Sequence, residues 1–101
     1  MRPSLGVYAA RVGIIEKDKT ILYDGVANLG KRPTFGGESV ILEVHLFNFS
    51  TNLYGKRITV SLIDFIRQEK KFDGLEALRA QIAIDTEKAQ NILQSDLTQN
   101  Q

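Results

Sequence analysis

LEVHLFNFSTNLYGKRITVSLIDFIRQEKKFD, running from Leu42 to Asp73, decides how this chain is read. It sets an acid, Glu43, in the middle of an apolar strand. A Tyr54-Gly55 turn follows, and then a second strand that ends in a run of charges. Successive strand residues point to opposite faces. Between Val40 and Phe49, that puts Val40, Leu42, Val44 and Leu46 on one face. Ile41, Glu43, His45, Phe47 and Phe49 fall on the other. Residues 50–56 read as the turn. Arg57 to Arg67 alternates again, with Ile58, Val60, Leu62 and Ile66 on one side and Arg67 on the opposite side. Asp64 interrupts the apolar row near its end.

Working outward, VYAARVGII (residues 7–15) is rich in strand formers, and the charged turn Lys17-Asp18-Lys19 leads to a second strand over about Thr20 to Leu29. These two read as a hairpin. GKRPTFGGES (residues 30–39) reads as a loop, because Gly30, Pro33, Gly36 and Gly37 all break regular structure. After Asp73 the period changes. Leu75, Leu78, Ile82, Thr86, Ala89 and Leu93 recur at helical spacing. Asp73 is the expected N-cap, with Glu76 completing a capping box, and the polar tail from Gln94 is expected to fray. Four strands and then one helix indicate an antiparallel sheet or barrel with a helix packed on it. Four strands are few for closure, so a missing N-terminal strand or an open sheet is expected.

Composition narrows the function. The 101 residues suit one domain. The net charge of +1 gives no strong global field for nucleic acid or membrane. The absence of cysteine excludes disulfides, thiol catalysis and cysteine-ligated zinc, and fits a cytoplasmic protein. The single histidine, His45, excludes a multi-histidine metal site. No apolar run approaches the roughly 20 residues of a membrane span.

Ionisable groups are rarely buried unless paired or functional, so Glu43 is the first candidate for chemistry. In apolar surroundings a carboxylate becomes a better base. Equally, Glu43 reads as a surface acid on a solvated face. His45 points the same way, and a structural hydrogen bond is the commoner role for such a histidine. Lys31 and Arg32, set among glycines, read as a phosphate cradle or as solvated charges on a connector. Arg67 could bind an anion or stack on a planar ring, and the charges Glu69, Lys70 and Lys71 beside it commonly serve solubility.

Five segments in order carry a family resemblance: GVYAARV at 6–12, YDGVANLGKRPTF at 23–35, LEVHLFNF at 42–49, LYGKRITV at 53–60 and FIRQEKKFDGLEALRAQIAID at 65–85. Together they resemble the riboflavin kinase (flavokinase) domain, usually the C-terminal module of a bacterial bifunctional riboflavin kinase/FAD synthetase. The resemblance implies a Greek-key β-barrel with a C-terminal helix. It implies ATP- and Mg²⁺-dependent phosphorylation of the 5′-hydroxyl of riboflavin to FMN. By the same resemblance the catalytic base falls on Glu43, and flavin- or nucleotide-binding roles fall on Asn28 and Arg67. The family's Gly-x-Pro-Thr-Ala-Asn segment, whose threonine and asparagine hold the metal–nucleotide, has no counterpart in these 101 residues. The expectation is therefore a single riboflavin kinase-like domain over residues 1–101, truncated at its N-terminus, with its metal ligands upstream. Little turnover is expected from it alone. An adenylyltransferase domain is the expected neighbour in the full-length protein, and self-association is expected through an unpaired sheet edge. The partners are small molecules, not nucleic acid or membrane. The rival reading is a flavin- or nucleotide-binding barrel module without catalysis.

Overall fold

The computed structural model describes residues 4–49 and 55–99. Four strands, β1 (Gly6–Glu16), β2 (Lys19–Thr34), β3 (Gly37–Leu46) and β4 (Arg57–Arg67), precede one helix, α1 (Leu75–Gln99). All pairings are antiparallel, in the order β3-β2-β1-β4. Three hairpin-linked strands with the fourth returning beside the first make a Greek key. The sheet is not closed: β3 and β4 are its two edges among the described residues. No described helix is long and apolar enough to cross a membrane.

The segment expected to be a loop over residues 30–39 is mostly strand. Thr34 pairs with Gly37, so only Phe35 and Gly36 turn the chain. Gly36, at φ 92°, supplies the left-handed conformation that the short connection needs. Pro33 is tolerated because residues 30–34 run past the end of β1 and meet no strand on that side. Conversely, β3 stops at Leu46 rather than Phe49. Asn48 takes φ 56° and ends the extended chain. The turn expected over residues 50–56 falls largely outside the described residues.

Register assigns the faces. Val12 lies opposite Tyr23 and Val60, and Ala27 opposite Val44. Val12, Ile14 and Leu46 form a buried cluster on this face, with Tyr23, Val44, Phe49 and Val60 against it. The helix covers the other face, where Ala9, Ala89 and Leu93 are fully buried and Val26, Phe47, Ile63, Ile66 and Ile92 pack round them. Register shifts in β4 opposite Val7/Tyr8 and Ala9/Ala10 reverse the alternation twice. The first takes Asp64 out of the apolar row, and its carboxylate accepts the Phe65 N–H instead. The second restores the parity, so Arg67 keeps the face opposite Val60 that simple alternation assigns.

Two helix expectations need correction. The Gly74 carbonyl accepts the Leu78 N–H, so Gly74, not Asp73, is the N-cap, and Glu76 sits in the first turn without closing a capping box. The tail from Gln94, expected to fray, is helical as far as Gln99. Its last turns are held because Arg11 bonds Asp96 at 2.8 Å and the Leu93 carbonyl at 3.3 Å, while also reaching Asp24 at 3.3 Å. The hydrogen bond to Asp96 is the main reason that Arg11 holds its proton more tightly than an ordinary arginine, against the opposing effect of burial.

Leu93→Ala should cost about 3 kcal/mol, as expected for a cavity in a closed core, read as a lower urea midpoint at unchanged m-value. A second expectation concerns Glu16, whose hydrogen bond from Lys56 at 2.9 Å is the main cause holding its carboxyl below the usual range. A depressed folded-state value stabilises above the unfolded value and is lost as pH falls through the folded one. Lys56→Ala should therefore lower stability at neutral pH, and the difference should disappear under acid conditions that protonate Glu16. A difference that persists in acid would show that the contribution is not ionic.

Candidate functional site

Where the C-terminal half of α1 builds the core, its N-terminal half leaves the sheet and opens a cleft of about 540 Å³. That volume suits a small organic ligand. The sheet wall carries Val7, Val26, Asn28, Glu43 and His45, and the helix wall carries Leu78, Ile82 and Asp85. Arg67, Glu69, Lys70 and Phe72, at the end of β4 and in the connection to α1, line the third side. The apolar stripe of the helix is thus divided. Ala89 and Leu93 are buried, whereas Leu78 and Ile82 stay partly exposed on the cleft.

Asn28, Glu43 and Arg67, singled out by sequence, all line this one cleft. Asn28 and Glu43 are directly opposite each other across β2 and β3. The Asn28 Oδ1 is buried without a hydrogen-bond partner among the described residues. A buried acceptor left unpaired costs free energy, so it marks a point where a ligand donor would be stabilised. Of the two readings that the sequence left open for Glu43, buried base or surface acid, the structure shows an exposed carboxylate. Its side chain is 58 % exposed and receives an Arg32 Nη2 hydrogen bond at 2.7 Å. Being on the edge strand, it faces the cleft mouth. His45 makes no hydrogen bond to Glu43; its ring stands edge-on to Phe47 at 6.2 Å.

Arg67 is fixed in place. Its Nε and Nη2 grip Asp85 at 2.9–3.0 Å, and its Nη1 donates to the Gln68 carbonyl at 3.0 Å. Asp85 is only 4 % exposed and also receives the Gln81 amide at 3.0 Å. The Arg67 guanidinium lies 5.7 Å from the Phe72 ring centroid, and the Lys70 ammonium lies 5.4 Å from it. Both cations lie within cation–π range of that ring. Phe72, Asp85, Leu78 and Ile82 were not marked as site residues from sequence. The one available signal was the helical stripe itself, which continues past the length that the core uses.

Arg32 was weighed only as part of a flexible, glycine-rich loop. The segment is extended strand paired to β3 rather than a loop wrapped round an anion. The side chain nevertheless enters the site. It bridges Glu43 and Glu69, the latter at 3.2 Å through Nη1. Those two carboxylates, Glu69 first, raise its affinity for its proton above that of an ordinary arginine.

Residues 1–93 match the flavokinase family, riboflavin kinase. The chain belongs to that family. It is 42 % identical over 95 residues to the bifunctional riboflavin kinase/FMN adenylyltransferase of Haemophilus influenzae, covering 94 % of this chain and 30 % of that protein. It is 38 % identical over 81 residues to the RNA-binding riboflavin kinase RibR of Bacillus subtilis, covering 79 % of this chain and 34 % of the relative. A crystal structure described as a macrolide-efflux protein from Streptococcus pneumoniae superposes with a TM-score of 0.77 at 35 % identity, over 90 % of this chain and 29 % of that one. The chain therefore spans about a third of the curated relatives that it matches.

Asp85→Ala would leave Arg67 without its buried counter-charge. It should destabilise the fold by about 3 kcal/mol, the low end for breaking a buried pair. Replacing both partners with apolar residues should recover much of that loss. If the single and double variants unfold at the same urea concentration, the pair does not hold the helix to β4.

Proposed function

We propose that this chain is the flavin-phosphorylating part of a riboflavin kinase, transferring the γ-phosphoryl group of ATP to the 5′-hydroxyl of riboflavin to give FMN. The observation that carries this reading, beyond family membership, is the convergence of Glu43, Asn28 and Arg67 on one cleft with an apolar helix wall. Leu78, Ile82 and Phe72 offer apolar surface for the flavin ring system. Arg67, immobilised by Asp85, supplies a rigid cation at its edge. The orphaned Asn28 oxygen accepts from a donor on the substrate, and the ribityl hydroxyls are of that kind.

Chemistry then falls to Glu43. The hydroxyl oxygen attacks the γ-phosphorus as the bond from that phosphorus to the β,γ-bridging oxygen breaks. ADP leaves with the bonding electrons, and the hydroxyl proton passes to the Glu43 carboxylate. Such transfers depend mainly on positioning and charge neutralisation. Among the described residues no group of three or more acidic or histidine side chains converges on a metal site. Mg²⁺ enters this reading as part of the metal–nucleotide substrate.

A second reading is a flavin- or nucleotide-binding module that does not itself turn over. FMN formation and riboflavin binding, measured side by side on the 101-residue chain and on the full-length protein, separate the two. We also propose an adenylyltransferase domain elsewhere in the full-length protein, a cytoplasmic location and small molecules as partners. The net charge of +1 gives no reason to carry over the RNA binding named for one relative. The free edges of β3 and β4, with Val40, Leu42 and Ile58 exposed along them, support self-association of the chain by strand pairing. Sedimentation velocity as a function of concentration tests this, and a monomer throughout would reject it.

In the full-length protein, Glu43→Gln should lower kcat by about 100-fold or more while riboflavin still binds, as when a general base is removed. Turnover near wild type would remove Glu43 from the mechanism.

A further inference from the structure

The cleft has two guanidinium groups, and they are built differently. Arg67 is held by a nearly buried carboxylate through two nitrogens. Arg32 touches each of its carboxylates through a single nitrogen, at 2.7 Å to Glu43 and 3.2 Å to Glu69, in partly exposed positions. Exposed single contacts of this kind are weak and easily exchanged in water. The contacts of Arg67 to its carboxylate are paired and nearly buried, and those of Arg32 are single and partly exposed.

Gly30 makes the second arrangement possible. Asn28, Gly30 and Arg32 alternate along one face of β2. The absent side chain at Gly30 leaves a notch into which Arg32 folds back. A Cβ there would lie 2.1 Å from Glu69 Oε1 and 2.6 Å from Arg32 Nη1. The ion pair is seated in the backbone of β2, beside the carboxylate that the kinase reading makes the base.

We propose that Arg32 is an exchangeable counter-ion that passes from Glu43 to the phosphate chain of the nucleoside triphosphate, so that donor binding releases the base. This deepens the kinase reading and rests on it. The guanidinium fork matches phosphate oxygens at least as well as it matches a carboxylate. While Arg32 sits on Glu43, its Nη2 N–H occupies Oε1, an oxygen that would otherwise accept from the substrate hydroxyl. When Arg32 moves to phosphate, that oxygen is freed and the developing charge on the transferred group is neutralised. Proton acceptance is thereby tied to the presence of the donor. Glu69 is the hinge partner: it keeps one nitrogen of Arg32 while the other exchanges. Arg67, Lys70, His45 and Asp85 also line the cleft. None of them bridges Glu43 as Arg32 does.

The test uses the full-length protein and reads binding as well as turnover. Arg32→Gln should weaken ATP and inorganic tripolyphosphate about tenfold, as for a lost charge-assisted hydrogen bond, with riboflavin affinity and Tm unchanged. Arg32→Lys should restore part of that loss. Gly30→Ala, which removes the seat and keeps every charge, should leave ATP binding intact or tighter, and the side-chain NMR signal of Arg32 should shift when ATP is added to the wild type. Unchanged ATP affinity in Arg32→Gln, or equal weakening of ATP and riboflavin, overturns the proposal. If ATP and tripolyphosphate engage Arg32 but no FMN forms, the kinase reading fails and the phosphate contact stands. If Arg32→Gln makes FMN with the wild-type KM for ATP, the reverse holds.

Discussion

The bidentate bond between Arg67 and Asp85 sets where the helix lies. Asp85 is the buried charged residue on the described surface of α1, and burial of an unpaired carboxylate would be prohibitive. The helix must therefore bring Asp85 to the end of β4, where the second register shift presents Arg67. A second tie, from Arg11 to Asp96, lies eleven residues further along the helix. At about 100° per residue, eleven residues return to nearly the same side of a helix. Ala89 and Leu93 fall between the two ties on that side. The helix is thus fixed in both rotation and translation by charges at its flanks, and it is packed by small and apolar side chains between them.

That fixing creates the cleft as a by-product of packing. Ala9 beneath Ala89 allows close approach where the core is tight. Towards the N-terminus of α1, Leu78 and Ile82 line the cleft across from a sheet wall that includes Asn28 and Glu43. The apolar stripe runs on past the core and becomes a wall. A ligand with a flat apolar face and a polar tail fits such a space, with the apolar side on the helix and the polar side on the sheet.

Strand alternation made much of this legible before any coordinates. Residues 40–46 and 57–62, the hairpin at Lys17 and Asp18, the helix after Asp73, and the choice of Asn28, Glu43 and Arg67 all follow from pattern or from family resemblance. Other features could not be read that way. Gly30, Pro33, Gly36 and Gly37 signalled a loop because propensity is local, whereas a two-residue turn and a free strand edge let those residues stay in the sheet. With the loop reading, Arg32 had no face, and its pairing with Glu43 was invisible. Asp85 looked like one more polar position on a helix. Its partner lies 18 residues away in sequence, and only packing brings the two together. The double reversal in β4 was also hidden. Arg67 reached the expected face because two irregularities cancelled.

The exposure of Glu43 is the feature that most changes the chemical picture. A base buried among apolar groups would owe its reactivity to desolvation, and that reactivity would be permanent. If Glu43 is the base, as proposed, then a base at the cleft mouth, paired with a cation on the neighbouring strand, would be controlled by whatever occupies that cation. The first arrangement ties rate to the stability of the core. The second leaves the core alone and places control in two side chains and one glycine. It would also account for the difference between the two arginines, one in paired contacts to a nearly buried carboxylate and one in single, partly exposed contacts. Arg67 must hold still because the position of the helix depends on it, whereas nothing structural depends on Arg32 keeping both of its partners.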